Sequence, residues 1–182
     1  VERAQGRPVL QFNRADFRLP WLRQTFPNAK FLHLYRHPRD QWLSFLTDKA
    51  LMNKDSVDTT YRDEFYLNSW CEDLTQYFPF LNIESTPHPY QRFYYLWKLS
   101  FLYGQKFSDL SISFEDLVQH KETTTEKIIK AFSLSTKAEL MYQVVETPQL
   151  NRWESYADDA WFKQFEDECE HVLNMYLKKS KA

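Results

Sequence analysis

Glycine is almost absent from this chain. Of its 182 residues only Gly6 and Gly104 are glycine, and neither stands in a glycine-rich stretch. A phosphate-binding loop of the P-loop type needs glycines, because they let successive backbone N–H groups approach the phosphates. The sequence therefore excludes a P-loop among these residues.

Three further absences narrow the class of protein. Lys and Arg number 23 against 25 Asp and Glu, so the basic excess typical of nucleic-acid binding is missing. Cys71 and Cys169 are too few for a disulfide framework, which favours a reducing, cytoplasmic compartment. No apolar run approaches the ~20 residues of a membrane span, and the first ten residues lack a signal-peptide core. We therefore expect a globular protein that neither binds nucleic acid nor spans a membrane.

The stretch KFLHLYRHPRDQWLSFL is the most informative part of the chain. Its apolar run Phe31–Tyr35 predicts a buried strand, and Pro38 suits the first position of a helix that we expect to continue to Leu46. Arg36 then stands at the carboxyl end of the strand, where open α/β sheets bind anionic ligands. Ser44, two turns into the helix, is predicted to reach the same anion.

The remaining sequence predicts further strands and helices around this stretch. PVLQF (Pro8–Phe12) and DLSISF (Asp109–Phe114) each have the character of a short strand. Tyr90–Tyr103 is apolar nearly all round, which is typical of a buried helix, and Gly104 is predicted to end it as a left-handed C-cap. This order of elements predicts an α/β fold with a parallel sheet flanked by helices.

The pattern strand–Arg–x–Pro–Arg–Asp–x–x–x–Ser resembles a segment of sulfotransferases that use 3′-phosphoadenosine 5′-phosphosulfate (PAPS), especially tyrosylprotein, other Golgi-type and bacterial members. The resemblance implies that Arg36 and Ser44 hold the donor's 3′-phosphate. It also implies a P-loop-NTPase-like sheet with a phosphate loop near the N-terminus of the domain. Because that loop is missing, we expect residues 1–182 to form the C-terminal portion of a single sulfotransferase-like domain, incomplete at its N-terminal side.

The resemblance implies two more donor ligands. Phe114 stands where the family has a tyrosine against the adenine, so it keeps the ring and lacks the hydroxyl; a plain core position is the alternative. The segment Asn151–Trp153 resembles a Gly–Arg–Trp segment, with Asn151 in the glycine position because asparagine tolerates similar backbone angles. Arg152 is therefore a candidate ligand of the nucleotide phosphates, and a salt bridge beside a helix is the alternative.

Arg14 is the candidate catalytic residue. It falls at or near a position where the family carries a His or Lys beside the transferred sulfuryl group. An arginine cannot act as a base near neutral pH, although it can stabilise negative charge that develops during transfer. A surface ion pair with Asp16 is the alternative, and a catalytic base upstream of this chain is also expected.

The sequence predicts sulfuryl transfer from PAPS to a hydroxyl or amine acceptor, leaving 3′-phosphoadenosine 5′-phosphate (PAP). No metal is expected, since the resembled family needs none and the five histidines lack metal-binding spacing. One alternative is an inactive, truncated domain that binds nucleotide or another protein. Another is a nucleotide-kinase-like protein, which also needs the missing loop. Homodimerisation through an uncovered sheet edge is a further expectation.

Overall fold

The structure, a computed structural model, describes residues 6–179, so the predicted domain 1–182 extends slightly beyond it. Two strands lie far apart in the sequence among a larger number of helices. The strands are β1 (Leu32–Tyr35) and β2 (Leu110–Ser113). The α-helices are α1 (Leu19–Thr25), α2 (Pro38–Trp42), α3 (Val57–Thr60), α4 (Leu67–Leu74), α5 (Pro89–Phe107), α6 (Phe114–Gln119), α7 (Lys121–Phe132), α8 (Ala138–Tyr142) and α9 (Asp159–Lys179). Short 3₁₀ turns occupy Asp16–Arg18, Pro79–Leu81 and Arg152–Ser155.

The two strands pair in parallel over four residues. Leu32 lies opposite Leu110, and Tyr35 lies opposite Ser113. Helices α2 to α5 form the connection between them. The expectation of an α/β fold with a parallel sheet flanked by helices is confirmed at this level, and both strands fall within the stretches that predicted them. The predicted burial of β1 is wrong, because its residues alternate between exposed and half-buried where no described element covers the face that carries Leu32 and Leu34.

The prediction of a strand at Pro8–Phe12 is wrong. Among the described residues this segment pairs with no strand, and the side chains of Val9 and Phe12 are 88% and 64% exposed. A strand needs a backbone partner and a surface that covers its apolar side. Here the Nη1 group of Arg7 donates to the carbonyl of Phe132 at 2.8 Å, which ties the segment to the end of α7 instead of to a sheet edge.

The helix after β1 is also shorter than predicted. It ends at Trp42, and the next N–H groups bond three residues back: Ser44 to Gln41 at 3.0 Å and Phe45 to Trp42 at 2.8 Å. This tighter winding still buries both Trp42 and Leu46, which are 0% and 5% exposed. The apolar pattern therefore predicts the burial of Trp42 and Leu46 correctly. The helix that it predicts up to Leu46 ends at Trp42.

Helix α5 runs through the middle of the core and packs against α9, α4 and α1. Its buried side chains come from more than one face, as its nearly continuous apolar sequence predicted. Around it lies one cluster of buried residues, and the partly buried side chains that pack against this cluster are mostly aromatic. The largest fully buried members are Trp42, Tyr90, Phe162, Met52, Leu67, Leu81, Leu99 and Leu173.

Gly104 lies inside α5, so its prediction as a left-handed C-cap is wrong. The helix continues to Phe107, and neither described glycine has a positive φ. A Cβ atom at this position would overlap the imidazole ring of His33 on β1. That ring is held by a 2.8 Å hydrogen bond between its Nδ1 and the Ser111 hydroxyl. Glycine is needed here because the helix approaches the sheet closely.

We expect Gly104→Ala to lower the free energy of unfolding by about 1–3 kcal/mol, the usual cost of overpacking. In an open helix the same change would instead stabilise the protein by about 0.5–1 kcal/mol. Urea unfolding measures the difference, with Gln105→Ala on the neighbouring exposed position as the control. A more stable Gly104→Ala protein would contradict the close packing of α5 on His33.

Candidate functional site

The carboxyl edge of the sheet brings Arg36 and Phe114 together. Each follows directly on a strand, and the last residues of the two strands, Tyr35 and Ser113, are register partners. The guanidinium carbon of Arg36 lies 5.2 Å from the centre of the Phe114 ring. The Arg36 backbone is also fixed, because its carbonyl accepts a 3.0 Å hydrogen bond from Nε1 of Trp97 on α5. Arg36 and Phe114 thus lie side by side at the carboxyl edge of the sheet, and their binding of a nucleotide stays a prediction.

Asp40 brings the Arg152 segment to the same edge. Its side chain is fully buried, and its two carboxylate oxygens accept the backbone N–H groups of Asn151 at 2.9 Å and Trp153 at 3.1 Å. Asn151 has φ 57°, the left-handed conformation anticipated from its replacement of a glycine. The Nη2 group of Arg36 lies 3.9 Å from the same carboxylate. Asp40 therefore joins the Arg36 turn to the Arg152 turn.

Both arginines carry a buried nitrogen that lacks an acceptor. The Nε atoms of Arg36 and Arg152 are excluded from solvent and have no hydrogen-bond partner among the described residues. Buried polar atoms in folded proteins are nearly always hydrogen-bonded, so such donors indicate a place for a ligand oxygen. A guanidinium is well suited to phosphate because its N–H groups form a planar fork. The donor set therefore fits an anionic nucleotide, with the Phe114 ring beside it.

Ser44 is not joined to this cluster by its side chain. It lies in the exposed turn after α2, and its hydroxyl forms no hydrogen bond to any residue that the structure describes. The prediction placed Ser44 two helical turns along from Arg36, but α2 ends before it. Its expected contact with a phosphate stays a prediction.

Arg14 makes its contacts elsewhere, against α4. Its guanidinium lies 5.1 Å from the centre of the Trp70 ring and donates to the carbonyl of Phe65. Arg14 and Trp70 border a cleft of about 350 Å³ that Phe17 also lines. No ion pair joins Arg14 to Asp16 within the described part of the chain, so that alternative is wrong for this structure. Burial raises the pKa of the Asp16 carboxyl, which instead faces Ser100.

Sequence reasoning missed the function of Arg39, the second arginine of the motif. Arg39 is 6% exposed, and its Nε and Nη2 atoms each donate a 2.8 Å hydrogen bond to a different oxygen of Glu166 on α9. Its guanidinium also lies over the rings of Trp153 and Phe162, at 4.6 and 4.9 Å. Hydrogen bonding to Glu166 raises the pKa of Arg39. Arg39 therefore links α2 to α9 next to the turn that carries Arg152.

Metal-binding clusters and membrane-spanning helices are both absent from the described residues. Among residues 6–179, no three or more His, Cys, Asp or Glu side chains gather in a way that could hold a metal ion. No helix in the same range combines the length and the apolar character needed to cross a bilayer.

A family model described as "Sulfotransferase family" matches residues 14–138. This range contains Arg14, Arg36, Ser44 and Phe114, while Arg152 lies beyond it. No curated protein and no solved structure matches the chain significantly. The match spans well over half of the 182 residues and includes the whole strand–Arg–x–Pro–Arg–Asp segment. The chain therefore belongs to the sulfotransferase family.

Proposed function

We propose that this protein transfers a sulfuryl group from PAPS to a hydroxyl or amine acceptor, and that residues 1–182 carry the 3′-phosphate half of the donor site. Membership of the sulfotransferase family supports the reaction class. The observation that supports the assignment of the half-site is the pair of buried, unpartnered Nε atoms on Arg152 and on Arg36, whose guanidinium lies over the Phe114 ring.

In this proposal Arg36 binds the 3′-phosphate and Arg152 binds a phosphate of the same nucleotide. Asp40 offsets part of the Arg36 charge through its 3.9 Å ion pair, while its hydrogen bonds from Asn151 and Trp153 fix the turn that carries Arg152. Phe114 offers its ring to the adenine, and Ser44 approaches the 3′-phosphate if its turn adjusts when the nucleotide binds. The half-site would thus recognise charge at one end and an aromatic base at the other.

Arg14 is proposed to stabilise negative charge near the sulfuryl group. Its guanidinium stays positively charged at any working pH, so it can attract the sulfuryl oxygens without moving a proton. The cleft of Phe17 and Trp70 beside it would then receive the acceptor. PAPS supplies the activated sulfuryl group when it is bound, and this proposal assigns no base within the described residues.

In the same proposal, the two strands belong to a P-loop-NTPase-like sheet that is incomplete within these residues. A P-loop-NTPase-like domain has a larger parallel sheet than two strands, with a phosphate loop at its start. Leu32 and Leu34 on β1 are 44% and 49% exposed, which supports a sheet that further elements would cover. The lack of a glycine-rich loop supports the alternative that residues 1–182 bind the nucleotide without transferring its sulfuryl group.

Arg36→Ala tests the donor assignment. We expect the wild-type protein to bind PAP better than 5′-ADP, and the variant to bind PAP about tenfold to a hundredfold more weakly. A charge-assisted hydrogen bond contributes roughly 1.5–3 kcal/mol, which accounts for that range. Isothermal titration calorimetry measures all four affinities.

The matched control is Arg62→Ala, which removes the same charge from an exposed side chain without a partner among the described residues. It should leave the affinity for PAP unchanged. Equal binding of PAP and 5′-ADP, unaffected by Arg36→Ala, would reject the 3′-phosphate site. Binding without sulfuryl transfer would favour the nucleotide-binding alternative.

A further inference from the structure

His37 lies where the three segments of the proposed donor site meet. It follows Arg36, and it contacts the residues that follow the other two candidate ligands. Its backbone N–H donates to an oxygen of the Glu115 side chain at 3.0 Å, next to Phe114. Its ring stacks on that of Trp153, next to Arg152, with 6.1 Å between ring centres and 17° between planes.

These contacts hold the His37 ring in place. The Trp153 indole that it stacks on also lies under the Arg39 guanidinium at 4.6 Å, and Arg39 is itself bound to Glu166. The backbone of His37 is fixed by the bond to Glu115. The ring therefore cannot turn away without breaking a stack that is anchored on α9.

The ring nitrogen Nδ1 of His37 is buried and has no hydrogen-bond partner among residues 6–179. It is the nitrogen nearer the backbone, so it stays within the junction of the three segments. Arg36 and Arg152 each place an unpartnered, buried Nε atom in the same two segments. Burial and the nearby Arg39 lower the pKa of His37, so that the imidazole is neutral at pH 7 and carries one N–H group.

We infer that His37 is a third ligand of the nucleotide, with its Nδ1–H donating to a phosphate oxygen alongside the donors of Arg36 and Arg152. The inference rests on the proposed function, since the acceptor oxygen belongs to the nucleotide. A phosphate group has enough lone pairs to accept from all three nitrogens, whereas the oxygen of one water molecule has only two lone pairs with which to accept. The alternative role of His37 is purely structural, as a ring that supports Trp153.

Two substitutions separate these roles. His37→Phe keeps an aromatic ring on Trp153 and removes Nδ1, so we expect it to bind PAP about tenfold to a hundredfold more weakly. His37→Asn removes the ring but places an amide N–H near the position of Nδ1, so it should retain an affinity within a few-fold of the wild type. Calorimetry with PAP measures both, and thermal unfolding establishes that each variant is folded.

The possible failures have different meanings. Wild-type affinity in His37→Phe, together with a loss in Arg36→Ala, would overturn the inference and leave the donor site intact. No preference for PAP in the wild-type protein would overturn both. If His37→Phe does not fold, His37→Asn decides: near wild-type affinity supports the Nδ1–H donor, and a loss as large as that of Arg36→Ala overturns it.

Discussion

Arg39→Met is expected to lower the free energy of unfolding by about 3–5 kcal/mol, the range found when one partner of a buried ion pair is removed. Methionine keeps much of the unbranched stem of arginine and its packing between helices. It leaves the Glu166 carboxylate, whose side chain is 14% exposed, without its cation. The Tyr90 hydroxyl would still donate to that carboxylate at 2.6 Å, but a neutral donor cannot balance a buried charge. Urea unfolding followed by tryptophan fluorescence measures the loss.

A matched surface pair on the same helix provides the control for Arg39. Lys163 bonds Asp159 at 2.7 Å, and both side chains are more than half exposed, although Asp159 also accepts a 2.8 Å hydrogen bond from Nη1 of Arg39. Lys163→Met should therefore change stability very little. The double variant Arg39→Met/Glu166→Leu should recover part of the loss, because apolar groups then replace the buried ion pair, although the buried Tyr90 hydroxyl loses its acceptor. If Arg39→Met is no less stable than Lys163→Met, then α9 does not depend on this ion pair.

The positions of Arg36 and Phe114 at the ends of strands were predictable because each needs only local information. Each residue follows an apolar run, and parallel strands end at the same edge of a sheet. The left-handed conformation of Asn151 was predictable for a similar reason, since few residues other than glycine adopt it. Strand ends and a left-handed turn, which both depend on a few neighbouring residues, thus identified the segments of the candidate site.

The partners of Arg39 and Asp40 were not predictable in the same way. Arg39 bonds Glu166 across 127 residues, and Asp40 accepts from Asn151 across 111. Nothing in the composition of either segment distinguishes these partners from other acidic residues or turns. The position of Asp40 in the first turn of α2 suggests an interaction with the helix dipole, but α2 has only five residues and the Asp40 carboxylate instead accepts from a distant turn.

Gly104 and Pro8–Phe12 show a second limit of sequence reasoning. A left-handed cap and a close approach both require glycine, so the residue alone could not distinguish them. An apolar run such as PVLQF favours an extended conformation, yet it forms a strand only where a partner edge is available. In both cases the missing information was the three-dimensional neighbour, which for Gly104 is the ring of His33.

Asp40→Ala should combine a loss of stability with a loss of nucleotide affinity. The change leaves the N–H groups of Asn151 and Trp153 without acceptors, at a cost of roughly 1–2 kcal/mol each, or about 2–4 kcal/mol together. It also frees the turn that carries Arg152, so we expect PAP to bind about tenfold more weakly in a protein that is still folded. Urea unfolding gives the first quantity and calorimetry gives the second.

The comparison with Asp167→Ala isolates the effect of the Asp40 carboxylate. Asp167 is an exposed residue on α9 whose side chain has no hydrogen bond among the described residues, so its loss should change neither quantity appreciably. Asp40→Asn keeps one acceptor oxygen, so its stability and its affinity for PAP should fall between those of Asp40→Ala and the wild type.

Because Asp40 lies 3.9 Å from Arg36, its removal also takes away a negative charge beside the proposed phosphate site. That electrostatic effect alone would strengthen PAP binding. Tighter binding in Asp40→Ala would therefore mean that the Arg152 turn contributes little to the donor site, and weaker binding would mean that positioning this turn outweighs the charge.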